Sequence, residues 1–158
     1  MAEQRRGRRA ITVGSTGQAV AANIARLRDR RGLTTRQLSL ELTSAGRAIP
    51  ASGITRMEKA ERVVTADELV ALAVVFGVSP SALLLPLSEQ PMDPIHVTGG
   101  GVVPAGEAWA WVDGERPLRL SEGSARREMA EHELFGRPQW LYKRSDPASS
   151  QPQEQGHG

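Results

Sequence analysis

Five residues between Ala51 and Lys59 have the types and spacing best suited to chemistry. On a helix, Ser52, Thr55, Arg56 and Lys59 fall at i, i+3, i+4 and i+7, so they share one face, with Ala51 at its leading edge. A guanidinium is a rigid fork of donors that matches the two acceptors on a guanine edge. An ammonium is a point charge suited to phosphate, and a hydroxyl serves either. Ile54 and Met57 lie on the other side as a narrow stripe to bury. This pattern suits recognition of a polyanion, and the rest of the chain offers nothing catalytic to set against it. There is no cysteine, which excludes disulfides and thiolate metal sites. His96, His132 and His157 have no metal-ligand spacing, and Glu128 with His132 at i, i+4 reads as a surface pair. Gly99-Gly100-Gly101 lacks the Gly-Lys-Ser/Thr that would follow in a phosphate loop. No nucleophile has a recognisable base nearby. Neither an enzyme nor a cofactor or metal site is expected.

Charge placement agrees. The 158 residues carry a net charge of only +2, yet residues 1–62 hold 13 Lys and Arg against 5 Asp and Glu, and residues 63–158 hold 7 against 13. A basic first part points to a polyanion-binding face. Arg5, Arg6, Arg8 and Arg9 form a basic arm that could follow phosphates or enter a minor groove. The same arginines could open an export signal, but the segment after them, Ala10 to Gly17, is too short and polar for its apolar core. No apolar run is long enough to span a bilayer. A cytoplasmic location is expected.

Positioning that face requires a scaffold, and residues 15–87 supply its signals. A first helix is predicted over Gln18–Arg31, with Val20, Ile24 and Leu27 as its apolar stripe and Gly32 as its stop. A second starts at Thr34, which has capping-box spacing to Gln37, buries Leu38 and Leu42, and ends by Gly46. The third starts near Pro50 or Ala51, and its Gly53 would allow close approach of a neighbouring helix. A fourth starts at Thr65, paired with Glu68, and runs to Gly77 with Leu69, Leu72, Ala73 and Phe76 inward. A fifth follows Ser79-Pro80 through Leu85.

The segments Asn23 to Arg28, Gly32 to Leu38, Ile54 to Glu58, Asp67 to Ala73 and Phe76 to Ser79, in that order, make the chain resemble the lambda-repressor-like, or Xre-type, helix-turn-helix family. The resemblance covers roughly residues 17–87. It implies an all-α, compact five-helix bundle and a transcriptional regulator that inserts its third helix into the major groove of double-stranded operator DNA. It also implies roles. Ala51, Ser52 and Arg56 would touch bases, Thr35 and Lys59 would touch the backbone, and Arg28 with Glu58 would form a partly buried ion pair. The chain departs from the family pattern between the second and third helices, where Ser44 to Pro50 is several residues longer and brings in Arg47 as a further candidate contact. Either the second helix is a turn longer or the connection is a loop. Pro50 also replaces the usual hydroxyl cap.

Residues 88–144 read as a small irregular appendage. Trp109 and Trp111 would share the face of a strand, with Asp113-Gly114 as a hairpin turn. Ala125, Met129 and His132 would line a later helix, stopped by Gly136 and Pro138. Residues 1–14 and 145–158 read as disordered. Val70, Val74, Val75 and Leu83 to Leu87 leave apolar surface that a homodimer could cover. Two alternatives stay open: a protein-interaction module on the same scaffold, and an antitoxin-like regulator. In either, the appendage would bind a protein partner or small-molecule effector.

Overall fold

The computed structural model describes residues 12–138 and 140–141. The arm residues Arg5, Arg6, Arg8 and Arg9 and the tail 145–158 lie outside the described residues. The chain divides into two compact units, the first ending at Trp109 and the second beginning at Ala110.

The first unit opens with five helices: α1 (Ser15–Arg30), α2 (Thr35–Ser44), α3 (Ala51–Glu58), α4 (Ala66–Phe76) and the single turn α5 (Ser81–Leu84). They enclose one core in which Ile24, Leu38, Leu42, Ile54, Met57, Leu72 and Leu83 are fully buried. The inward stripes predicted for α2 and α3 are in this set, with Ile24 and Leu72 from those of α1 and α4, because the 3.6-residue period places them on one side of each helix. Leu27 and Leu69 are only partly buried, and Leu83 and Leu85, expected to add outward apolar surface, are buried instead. Burying such a side chain is worth about 1.5–3 kcal/mol, so these residues dominate the stability of the unit.

The ends of the first four helices share one device. Where α1 ends, the Leu33 N–H donates to the Arg28 carbonyl and the Gly32 N–H to that of Asp29, with Gly32 at φ +64°. Arg47 and Gly46 close α2 in the same way on Leu42 and Thr43, and Val78 and Gly77 close α4 on Ala73 and Val74. This is the Schellman closure, and glycine serves it because the left-handed conformation costs nothing without a Cβ. The long connection is therefore a loop, since α2 stops at Ser44. Its first half is the closure of α2, and its second half is Ala48-Ile49-Pro50, with Ile49 buried. At α3 the pattern repeats with a different residue. Glu61 N–H donates to Arg56 O and Ala60 N–H to Met57 O, but the left-handed position is Ala60 at φ +55°. Gly53 turns out to face its own loop rather than a neighbouring helix. An added Cβ would meet Ile49 and Pro50 side chains at 3.4 Å.

A second group of elements follows: strands β1 (Pro94–Val97) and β2 (Gly101–Pro104), then helix α6 (Ala105–Val112). The strands pair antiparallel with Ile95 opposite Val103 and Val97 opposite Gly101, and the turn is closed by Gly100 N–H to Val97 O. The chain is thus mostly helical rather than all-α. This hairpin belongs to the first unit and is tied to α1. α1 begins three residues before the predicted start, on Gly14, which has no side chain to cap it. Thr98, at the hairpin tip, does so instead: its Oγ1 accepts from the Thr16 N–H at 3.1 Å, and its own N–H donates to Thr16 Oγ1 at 3.1 Å.

The hairpin expected around Asp113-Gly114 is absent. Trp109 and Trp111 lie on α6, and Gly114, at φ +75°, terminates that helix by another closure of the same kind. Two aromatics two apart imitate a strand, but the run Ala-Gly-Glu-Ala-Trp-Ala contains no β-branched residue to favour one. In the second unit α7 (Ala125–Gly136) carries the expected late helix, yet none of its residues is buried. It is held by polar contacts: His132 Nε2 lies 3.1 Å from the Gly114 carbonyl, and Arg137 donates to the Asp113 carbonyl at 2.8 Å. Glu128 does not pair with His132; it accepts from Ser121 N–H and Ser124 Oγ, each at 2.8 Å.

Ala60→Gly should stabilise the first unit by about 0.4–1 kcal/mol, because removing the Cβ relieves a left-handed strain larger than the added freedom of the unfolded chain. Thermal unfolding of the two proteins checks this: a lower midpoint for the glycine variant would contradict it.

Candidate nucleic-acid interface

The outward face of α3 presents Ser52, Arg56 and Lys59 to solvent, with Ala51 and Thr55 half-buried at its edges. Thr55 is less available than its spacing suggests, since its Oγ1 donates back to the Ala51 carbonyl at 3.1 Å. Pro50 stands at the N-cap position without a side-chain bond, so the first turn of α3 keeps unpaired N–H groups at that end. Thr35 is the first residue of α2 and is half-buried, with Arg36 exposed beside it. Arg47 is exposed on the connection leading into α3. The side chains of Arg47, Arg56 and Lys59 have no hydrogen bond or ion pair among the described residues, so their charge is free for an external anion.

Other arginines are committed to holding the scaffold. Arg28 meets Glu58 through two bonds, Nε to Oε1 at 2.6 Å and Nη2 to Oε2 at 3.1 Å, while its Nη1 donates to Leu33 O at 2.8 Å. The two side chains are only 16% and 12% exposed. The hydrogen bonds that Arg28 donates to Glu58 outweigh the cost of burial and hold its guanidinium above its ordinary pKa. One cation thereby joins the end of α1, the α1–α2 turn and the last residue of α3.

A second pair was not foreseen. Arg62 grips Glu68 with Nη2 to Oε1 at 2.8 Å and Nη1 to Oε2 at 3.2 Å, and its Nε reaches the Gly53 carbonyl at 3.4 Å. Glu68 Oε2 also accepts the Thr65 N–H at 2.9 Å, completing the capping box of α4. The capping spacing identified Glu68 as a helix-start residue, but nothing local indicated that Arg62 would bind it across the α3–α4 turn. Burial pushes the Glu68 carboxyl up, and the bonds from Arg62 and Thr65 more than offset it, leaving the group below its ordinary 4.5. Asn23, also buried, was not singled out either. Its Nδ2 donates to the Leu83 and Leu85 carbonyls at 3.1 and 2.7 Å, fastening α1 to the end of α5, and its Oδ1 accepts from Arg26. Arg31 likewise donates to the Val75 carbonyl near the end of α4.

The arrangement is a short helix held near its C-terminal end by a partly buried ion pair, its outer face polar and cationic, with a further free arginine on the loop before it. It can donate hydrogen bonds and charge to an anionic surface. Among the described residues, no cluster of His, Asp or Glu could hold a metal ion, and no helix is long and apolar enough to cross a membrane.

Residues 19–85 match a protein-family model described as a helix-turn-helix domain. No curated protein and no solved structure shows a match to the chain.

Because the folded Glu68 binds its proton less readily than the unfolded one, its contribution to stability is complete above the ordinary carboxylate value. It is lost as pH falls through the lower folded value. Glu68→Gln should therefore destabilise the protein at neutral pH and flatten the loss of stability on the acid side of 4.5. Denaturant unfolding in stepped acid checks this; identical acid limbs for the two proteins would refute it.

Proposed function

We propose, from the helix-turn-helix domain at residues 19–85, that the protein is a DNA-binding transcriptional regulator of the lambda-repressor-like, Xre-type kind. In this reading α3 enters the major groove of double-stranded operator DNA, a groove about 12 Å wide that admits one helix. Arg56 is its principal base reader, through a bidentate contact to guanine. Ala51 and Ser52 approach base edges near the start of the helix, where small side chains permit close contact. Thr55 lines that face. Thr35, Lys59 and Arg47 meet the phosphate backbone, and Arg5, Arg6, Arg8 and Arg9 extend the contact as a basic arm. The observation that carries this reading is the free, exposed cationic face of α3 on a domain whose other central arginines, Arg28 and Arg62, are spent on structure.

The regulator acts as a homodimer in this reading, since a two-fold protein matches a palindromic operator. Val70 and Val74, one turn apart on α4, are 51% and 67% exposed, and Leu87 is 61% exposed. These supply apolar surface for a second copy. A second reading, a protein-interaction module on the same scaffold, draws on α7, where Leu134 and Phe135 stand 59% and 80% exposed.

Mobility shifts against genomic fragments should show sequence-selective binding. Arg56→Ala should weaken it by about 1–3 kcal/mol and relax discrimination at the contacted base. Lys59→Ala should weaken all sequences alike and make the log–log salt slope shallower by about 0.9. A folded chain that binds no DNA even at low salt would sink the regulator reading. Light scattering on a chromatographed sample at micromolar concentration should return twice the chain mass, and a clean monomer would remove the dimer.

A further inference from the structure

The connection before α3 is longer than the scaffold requires, and α3 lacks a side-chain cap, so something else must fix how that helix starts. Along Ala45 to Pro50 every residue is exposed except Ile49, which is 2% exposed. The Ile49 side chain is seated in the same core as Leu42 and Ile54. Its carbonyl accepts a 2.6 Å hydrogen bond from Ser39 Oγ, in the middle of α2. The carbonyl of the next residue, Pro50, accepts the first helical N–H groups of α3, those of Gly53 at 2.8 Å and Ile54 at 3.1 Å. The Ile49–Pro50 peptide is therefore the last plane before the helix. A buried side chain holds it on one side and a hydroxyl on the other, and the proline ring fixes the φ that follows, here −66°. Small rotations of that plane would become tilts of α3.

We infer that Ser39 is a positioning residue for α3: its hydroxyl fixes the Ile49–Pro50 peptide and so sets the orientation of the helix relative to α2. The inference rests on the reading of α3 as the DNA-facing helix. Ser39 touches no DNA in this account. It substitutes for the aim that a shorter turn would impose. A two-point hold of this kind at the N-terminal end complements the Arg28–Glu58 pair at the C-terminal end.

The test uses the full chain and Ser39→Ala. Selective binding to the preferred fragment should fall about five- to tenfold, the equivalent of one lost hydrogen bond, while binding to nonspecific DNA at low salt stays unchanged. Thr98→Ala, which removes the remote cap of α1, serves as a control: it costs stability away from α3 and should leave the ratio of selective to nonselective binding intact. Ser39→Cys, which keeps a weaker donor, should fall between wild type and alanine, and it supplies the measurement if Ser39→Ala folds too poorly. Without DNA, amide exchange at Gly53 and Ile54 should speed up in Ser39→Ala relative to the Thr98→Ala control. An unchanged binding ratio in a selective wild-type background, or unchanged exchange at these two amides, overturns the inference. A wild-type chain with no selective binding would instead overturn the reading of α3 as the DNA-facing helix, and amide exchange alone would then decide the role of Ser39.

Discussion

The Arg28–Glu58 pair is the interaction on which the arrangement of the helices depends. Glu58 is the last residue of α3, and Arg28 lies in the last turn of α1, with a third donor on the turn that leads into α2. Removing either partner would leave a charge in a site partly shielded from water. Such pairs contribute little net stability compared with apolar replacements, because desolvating both charges offsets most of their attraction. What they impose is a geometry, since a bidentate contact is satisfied in one orientation only. The short helix carries just two fully buried side chains, Ile54 and Met57, and two such residues alone would let it roll. The ion pair and the Gly53 carbonyl contact from Arg62 suppress that motion.

The same economy explains how arginine is used. Arg28 and Arg62 are paired with the carboxylates of Glu58 and Glu68, so the basic character of the first part of the chain overstates its available charge, whereas Arg26 and Arg31 donate to neutral groups and keep theirs. Among the described residues of that part, the cations left free are Arg30, Arg36, Arg47, Arg56 and Lys59, the last three on or beside α3. Electrostatic attraction to a polyanion depends on that remainder, because a paired guanidinium beside a carboxylate presents little net field.

Much of the helical scaffold was legible because its signals are local. Thr34 with Gln37 and Thr65 with Glu68 form the two capping boxes their spacing indicates. Gly32, Gly46 and Gly77 mark helix ends because each sits at positive φ. The end of α3 carried no such mark, since Ala60 occupies the position where glycine is usual. The start of α1 carries no local signal because its cap comes from Thr98, more than eighty positions away in the chain. The strands are hidden in the sequence for a related reason. Pro94 to Pro104 is too short and too rich in glycine and proline to show a clear alternation, and its pairing is decided by packing against α1. In the candidate site, residue types and face were readable from the period of the helix. The inward commitment of Thr55, the Arg62–Glu68 grip and the Ser39 bond all depend on which loops fold back, which no single segment encodes.

The remote cap on α1 also sets how the chain can be divided. The helix-turn-helix match ends at residue 85, which invites a cut just beyond α5. Such a fragment would keep every helix from α1 to α5 and still lose Thr98, together with the buried Ile95, Val97 and Val103 of the hairpin. The first turn of α1 would then open onto water at the point where the basic arm joins it. The smallest piece that preserves the start of α1 as it is built here extends through the second strand. The hairpin is therefore a structural part of the helical domain and not a spacer leading away from it.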